Sequence, residues 1–440
     1  MTLLIDSLVF YEDSCSSMHI LVLGGGAREH ALVRALKKSP KVKKLSCAHG
    51  NPGISLEATC YLTDPNDSRR VIELTNRIKP DLVVVGPEAP LAAGVSDALR
   101  NSHIAVFGPS QSAARLETSK VFSKEFMVRN NVPTARAVVC SSKEEMLEAA
   151  KQFKPPYVIK ADGLAAGKGV RICENAEEFE KCAEDFFGKK ILGGATSKVL
   201  VEEFADGEEL SLMLLVADGA YGLLPVSQDH KRLMDKDEGP NTGGMGAFAP
   251  VKKWGKSLAK LEAEVIKPTL AGLAKENIAY RGLLYIGVMM TKARPLVLEY
   301  NVRFGDPEAQ VLLPLLKGDW AEVFLDVAEG KIPKLNWSKD TAVCVVLSTA
   351  GYPEHPKKGV KILIDRDLLK TGEHQYLLHG ATASYQGLYT NGGRALSAVG
   401  IARTTELARK RAYTLIKAVE FEGMHYRKDI ATEKKKRVRR

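Results

Sequence analysis

The stretch PLVLEYNVRFGDPEAQ, residues 295–310, constrains this chain more than any other. Leu296-Val297-Leu298 reads as a short buried strand, and Glu299 and Asn301 follow it two residues apart. Side chains spaced by two on a strand leave by the same face, roughly 6.6 Å apart along the chain. Two hard oxygen ligands on one face suit Mg2+ better than a soft-ligand metal. Arg303 continues the alternation. Gly305-Asp306-Pro307 then breaks the strand, and Asp306 is expected to cap a helix that begins at Pro307 and runs to about Gly330. A metal pair and a guanidinium lined up at a strand end would handle phosphoryl groups. The same residues would equally make an ordinary strand with one solvated face.

At 440 residues the chain is too long for one ordinary core, and about three domains are expected. With 45% apolar and 26% charged residues it has the composition of a soluble globular protein. No apolar run reaches a membrane-spanning length of about 18 residues. The net charge of +10 is mostly a tail effect, because Lys434–Arg440 carries six of those charges. The body is too nearly neutral for a nucleic-acid binder, although the tail could contact RNA or a membrane as well as being a solvated end. The first 17 residues contain no Lys or Arg, so they lack the basic start of a signal peptide, and Met18 is the expected start of the fold. Seven scattered cysteines without a C-x-x-C point to reduced thiols in a cytoplasm.

Along the chain, several apolar strands run into polar, glycine-rich loops. His19–Leu23 leads into Gly24-Gly25-Gly26-Ala27-Arg28 and a helix, a shape whose free N–H groups suit a phosphate. A dinucleotide site would want glycine at Glu29 and an acid after the next strand, which ends in Ala48-His49-Gly50, so NAD is disfavoured. Asp81–Val85 runs into Gly86-Pro87-Glu88. A helix is expected over Ser110–Asn130, with Lys120 and Lys124 on one face, either solvated or near a phosphate. Strands at 137–140 and 157–160 frame a helix from Lys143. Lys160 then precedes a loop with Gly163, Gly167, Lys168 and Gly169, which is not a Walker A sequence yet can bring backbone N–H groups to phosphate oxygens. Val199–Phe204 ends in Glu202 and Glu203, before Glu209. The segments 227–232 and 241–246 flank a charged stretch too long for a simple connection. A boundary near Ser338 precedes a strand at 342–347 and a last helix near 406–419.

In this order, GGGAREHA, GPEAPL, IKADGLAAGKGV, VEEFADGEELS, SQDHKR, GPNTGGMGAFAP and LEYNVRFGDPEAQ closely resemble the phosphoribosylamine–glycine ligase family, ATP-grasp enzymes of purine synthesis. The likeness runs from about His19 to Ile430. The last two motifs are highly specific to that family, whereas the glycine loop is shared across ATP-grasp proteins. The resemblance implies an α/β ATP-grasp fold. Its expected parts are an extension (1–17), a doubly wound substrate domain (18–119), an ATP-grasp part with a mobile lid (120–207), a central grasp domain (208–338), a C-terminal α+β domain (339–431) and a basic tail (432–440). It also implies a monomer or weak dimer.

The implied reaction joins glycine to 5-phosphoribosylamine at the expense of ATP, through a glycyl phosphate. Glu299 and Asn301 would be ligands of Mg2+ or Mn2+. ATP would meet Lys120, Lys160, Gly163, Gly167, Lys168 and Gly169 at its phosphates, the segment Glu202, Glu203, Phe204 and Ala205 at adenine, and Glu209 at ribose. Arg303 would stabilise the transferring phosphoryl group, and Lys160 would assist. Asp229, Gly305 and Asp306 would take the ammonium of glycine, with Asn241 beside them. Gly24, Gly25, Gly26, Arg28, Gly86, Pro87 and Glu88 would hold phosphoribosylamine. Ala27 and Ala431 stand where this family usually has glycine, and 287–290 lacks the additional metal-binding acid of many ATP-grasp enzymes. A sister carboxylase would lack the two specific motifs. A silent nucleotide- or RNA-binding protein would not need Glu299, Asn301, Lys160 and Arg303 together.

Overall fold

A computed structural model describes residues 17–163, 169–189 and 197–432. The first apolar runs form five parallel strands, ordered Thr59–Tyr61, Val42–His49, Met18–Gly24, Leu82–Val85 and Ala105–Phe107. Both faces are covered. Ile20, Val22, Leu82 and Val84 enter one core, while Leu21, Leu23, Val83 and Val85 enter another. Period-two alternation between two apolar layers is the mark of a doubly wound sheet. The strand order reverses between Met18–Gly24 and Leu82–Val85, so the crevice opens where Gly24–Gly26 and Gly86–Glu88 emerge side by side.

The helix expected over 110–130 is two helices, Gln111–Thr118 and Lys120–Arg129. Ser119 divides them because its hydroxyl accepts from Phe122 N at 3.0 Å, capping the second helix. Next comes an antiparallel sheet, ordered Ala137–Cys140, Val199–Glu203, Tyr157–Ala161 and Val170–Cys173. Helices Lys143–Ala150 and Ala176–Ala183 supply residues to its core, including Met146, Phe179 and Cys182. That core shares no buried residue with the other clusters.

The central antiparallel sheet is Ala220–Leu223, Glu208–Ala217, Arg281–Met290 and Pro295–Asn301. Residues 228–249 leave it. Gln228–Asp229 pairs with Gly246–Ala249, which pairs in turn with Thr341–Ser348, and the sheet continues into Arg394–Ala402 and Gln375–His379. The central and C-terminal segments therefore share one sheet across the division expected at 338/339. Between those two short strands, Arg232–Met234 and Glu238–Asn241 form a hairpin.

After the strand Pro295–Asn301 two expectations fail. The helix is interrupted, with Ala309–Leu312 passing into a 3-10 turn, Leu313–Leu315, before Trp320–Ala328 begins. Pro314 removes an N–H from the ladder, and Asp319 starts the later helix by accepting from Ala321 N at 2.8 Å. Nor is Asp306 a cap. Its carboxylate takes Gln310 Nε2 at 2.8 Å and lies 3.4 Å from Arg394, and the helix begins at Ala309. Among the described residues no helix is long and apolar enough to cross a membrane.

Candidate active site

Two clusters of charge meet at the end of the strand Pro295–Asn301. In the first, Glu299 and Asn301 do share a face, with Asn301 Nδ2 and Glu299 Oε1 3.5 Å apart. A bulge around Leu298 interrupts the pairing with Arg281–Met290 just before them. Lys120 Nζ lies 3.4 Å from Glu299, and Lys231 Nζ lies 3.9 Å from it while pairing with Glu209. Burial pushes the Glu299 carboxyl up, but Lys120, Lys231 and Lys160 outweigh it and hold the group far below the usual carboxylate range. A carboxylate favoured in its charged form, with an asparagine side chain beside it, fits a hard divalent cation that completes its shell with phosphate and water. Among the described residues no cluster of three or more His, Cys, Asp or Glu could enclose a metal alone.

Lys160 and Lys124 grip Glu202 from two sides, at 2.8 and 3.2 Å, and Lys160 also donates to the Leu298 carbonyl at 2.9 Å. Lys124 is therefore buried rather than solvated; burial lowers its ammonium to about 8 although Glu202 favours the charge. Glu203 N closes the ladder on the Arg136 carbonyl at 2.9 Å, after which Phe204 is exposed. Gly163 has φ +113° at the start of the glycine loop, where Ala161 N bonds the Gly169 carbonyl at 2.8 Å. Gly167 and Lys168 lie outside the described residues.

In the second cluster, Arg303 bridges two acids of the preceding segments, Glu117 at 2.6 Å and Glu88 at 3.2 Å. Arg28 donates to the Phe304 carbonyl at 3.0 Å and lies 3.8 Å from Glu88. Burial raises Glu88, but Arg303 and Arg28 more than offset this and hold it at about 2. Asp229, on the short strand Gln228–Asp229, is pushed well up by burial, with Glu308 and Glu209 reinforcing the shift against Lys231.

The turn Gly24–Gly26 is not the open phosphate cradle its sequence suggests. Glu29 fills it, accepting from Gly26 N at 2.6 Å and from Arg28 Nε at 2.7 Å. A Cβ on Gly24 or Gly86 would stand within 3 Å of the Glu29 side chain, so these glycines make room for a carboxylate. An anion at that N–H would meet a negative charge. The glutamate that argued against a dinucleotide was the signal for this, and it was read only as a missing glycine.

The structure thus gathers Lys120, Lys160, Glu202, Glu209, Glu299 and Asn301 on one side. Gly24–Arg28, Gly86–Glu88, Arg303, Gly305 and Asp306 gather on the other. Asn241 lies opposite Arg232 in the hairpin, and it is Gly243 and Gly244, just after it, that meet the second group at Arg394 and Pro307. Lys231, Glu117, Glu308 and Arg394 belong to the site and were not singled out. Lys231 and Glu308 lie inside quoted motifs, whereas Glu117 and Arg394 carried no local signal.

Against this geometry, three family descriptions match consecutive parts of the chain. They are the phosphoribosylglycinamide synthetase N domain over residues 18–117, its ATP-grasp (A) domain over 118–309 and its C domain over 342–433. The chain belongs to the phosphoribosylglycinamide synthetase family. Relatives named phosphoribosylamine–glycine ligase are 41% identical in Caldanaerobacter subterraneus subsp. tengcongensis and 42% in Streptomyces coelicolor. Each alignment covers 94% of this chain and 99% of the relative. The crystal structure of the Thermotoga maritima phosphoribosylamine–glycine ligase superposes with a TM-score of 0.82 at 38% identity, covering 94% of this chain and all of that one. A biotin carboxylase domain from Hydrogenobacter thermophilus, 16% identical with TM-score 0.71, shares the fold and covers 93% of this chain and 92% of that chain. Membership in this synthetase family makes the chain an ATP-dependent ligase.

Proposed function

We propose that the chain joins glycine to 5-phosphoribosylamine, forming glycinamide ribonucleotide, ADP and phosphate in the cytoplasm. The observation that carries this reading is the ionised Glu299 beside Asn301, ringed by Lys120, Lys160 and Lys231, one strand end away from the arginine cluster. ATP occupies the lysine side, with adenine against the backbone of Glu202–Ala205 and ribose on Glu209. Glu299 and Asn301 would hold Mg2+, or Mn2+ in its place, which would supply screening of the phosphate charge. The glycine carboxylate takes the γ-phosphoryl group as ADP leaves. The amine of phosphoribosylamine then attacks the acyl carbon, phosphate departs, and the nitrogen loses a proton. No enzyme nucleophile is required; the residues position reactants and neutralise charge. Asp229 and Asp306 face the ammonium of glycine, and Arg28, Glu88 and the two glycine turns bound the site of the amine.

The test is ADP release with each substrate omitted in turn, phosphoribosylamine being generated in place because it is unstable. ADP formation that needs both glycine and the amine is expected, with kcat in Glu299→Ala lower by about 10²-fold or more. ADP formation driven by bicarbonate without glycine would refute the reading.

A further inference from the structure

The C-terminal segment reaches the site through two residues that the reaction above leaves without a role. Arg394, at the start of the strand Arg394–Ala402, donates to the carbonyls of Asp306 (2.6 Å) and Gly243 (2.7 Å), and more distantly to that of Gly244 (3.5 Å). Its Nη1 also lies 3.4 Å from the Asp306 carboxylate. Tyr352, in the loop after Thr341–Ser348, accepts from Gly243 N through Oη at 2.9 Å. The loops are packed for these contacts: a Cβ on Gly244 would strike Pro307 at 2.5 Å, and one on Gly393 would strike the Tyr352 ring at 2.1 Å. One guanidinium therefore ties the hairpin foot 241–244 to the turn 305–306. Neither loop has regular secondary structure at the contact, and this tie bonds one directly to the other. All of these contacts are made by one nitrogen, Nη1, whose direction the planar guanidinium fixes; a lysine carries its single nitrogen on a flexible stem and does not hold both loops in that geometry.

We propose that Arg394, helped by Tyr352, is a positioning residue for the acceptor half of the reaction. It fixes the two loops that face glycine and the amine, and leaves the ATP half alone. This rests on the reading of Asn241 and Asp306 given above. If the tie loosens, water instead of the amine takes the acyl group, returning glycine and phosphate after ADP has formed. The marks of the role are weakened glycine binding and ADP formed in excess of product.

The experiment compares wild type, Arg394→Lys, Arg394→Ala and Tyr352→Phe for KM of glycine, KM of ATP and moles of ADP per mole of product. In Arg394→Lys the glycine KM should rise about tenfold, with the ATP KM within about twofold. ADP should exceed product by about threefold or more, and added guanidinium should restore part of the coupling in Arg394→Ala. Tyr352→Phe loses one hydrogen bond, so it should fold normally and show the same pattern more weakly; it decides the matter if the arginine variants do not fold. Equal ADP and product with an unchanged glycine KM in Tyr352→Phe and in any folded arginine variant would overturn the positioning role, as would a parallel rise in the ATP KM. Wild type that makes no ADP dependent on both acceptors would instead bring down the functional reading and this inference with it.

Discussion

On the Glu299 side of the site the cations are Lys120, Lys124, Lys160 and Lys231; on the Asp306 side they are Arg28, Arg303 and Arg394. Lys120 makes one long approach to Glu299, at 3.4 Å, and Lys231 lies 3.9 Å from it while pairing with Glu209; Lys124 and Lys160 are held on Glu202. The arginines are engaged with oxygens on separate chain segments, as when Arg303 spans Glu88 and Glu117 or Arg394 spans Gly243 and Asp306. An ammonium is a mobile point charge that can hand its carboxylate to a metal and turn to a phosphate. A guanidinium with its fork filled is a fastener. Lys120 is poised to exchange partners, whereas the arginine cluster is built to keep its shape.

The largest effect that could break this comparison is on stability. Arg303→Met strands Glu117 as a buried acid, and unfolding in denaturant should show a loss of about 3–5 kcal/mol. Arg303→Lys should recover only part of that, since one ammonium cannot bridge both acids. A loss below about 1 kcal/mol would mean that the arginine half is not structural. On the lysine side, Lys120→Met should leave the denaturation midpoint nearly unchanged, because the pair with Glu299 is partly exposed. Its KM for ATP should rise about tenfold, equivalent to ~1.4 kcal/mol, with that of glycine unmoved. An equal rise in both would erase the distinction.

The smallest effect is a pH dependence within the arginine half. Glu88 is held at about 2 in the folded protein against an ordinary value of 4.5. A depressed folded value stabilises the protein above the unfolded value and loses that stabilisation as pH falls through the folded one. The stability advantage of wild type over Glu88→Gln should therefore be full above pH ~4.5 and shrink toward pH ~2, amounting to about 1–2 kcal/mol after solvent screening of a partly exposed side chain. An advantage that does not change with pH would mean that the two arginines do not set the charge of Glu88.

The shared face of Glu299 and Asn301 was legible because strand periodicity is local: two residues apart means one face, whatever the rest of the chain does. The doubly wound sheet was legible for the same reason, from apolar runs ending in glycine turns. Ser119 could have been read as a cap, since a serine opening a helix carries its own signal, but the helical pattern on both sides masked it. The partners of Arg303 could not be read, because Glu88 and Glu117 lie 215 and 186 residues away and only the folded chain brings them near. The occupied glycine turn shows a different gap. Sequence said that small residues were needed there, and packing decided that a carboxylate would use the room.

The shared sheet has a consequence for how the molecule is made. Phe248 pairs with Val343, and Asp229 is held in place through that same ladder. While the ribosome is still adding the residues between them, the strands that frame the hairpin have no edge to join. With synthesis at about 5–20 residues per second, that interval lasts on the order of 5–20 s. During it the nascent chain can complete its first parallel sheet, whereas the wall that carries Asp229 must wait for Thr341–Ser348 to emerge. That wall is thus completed late in folding, so a chain released early would carry the Glu299 cluster without the strand that braces Asp229.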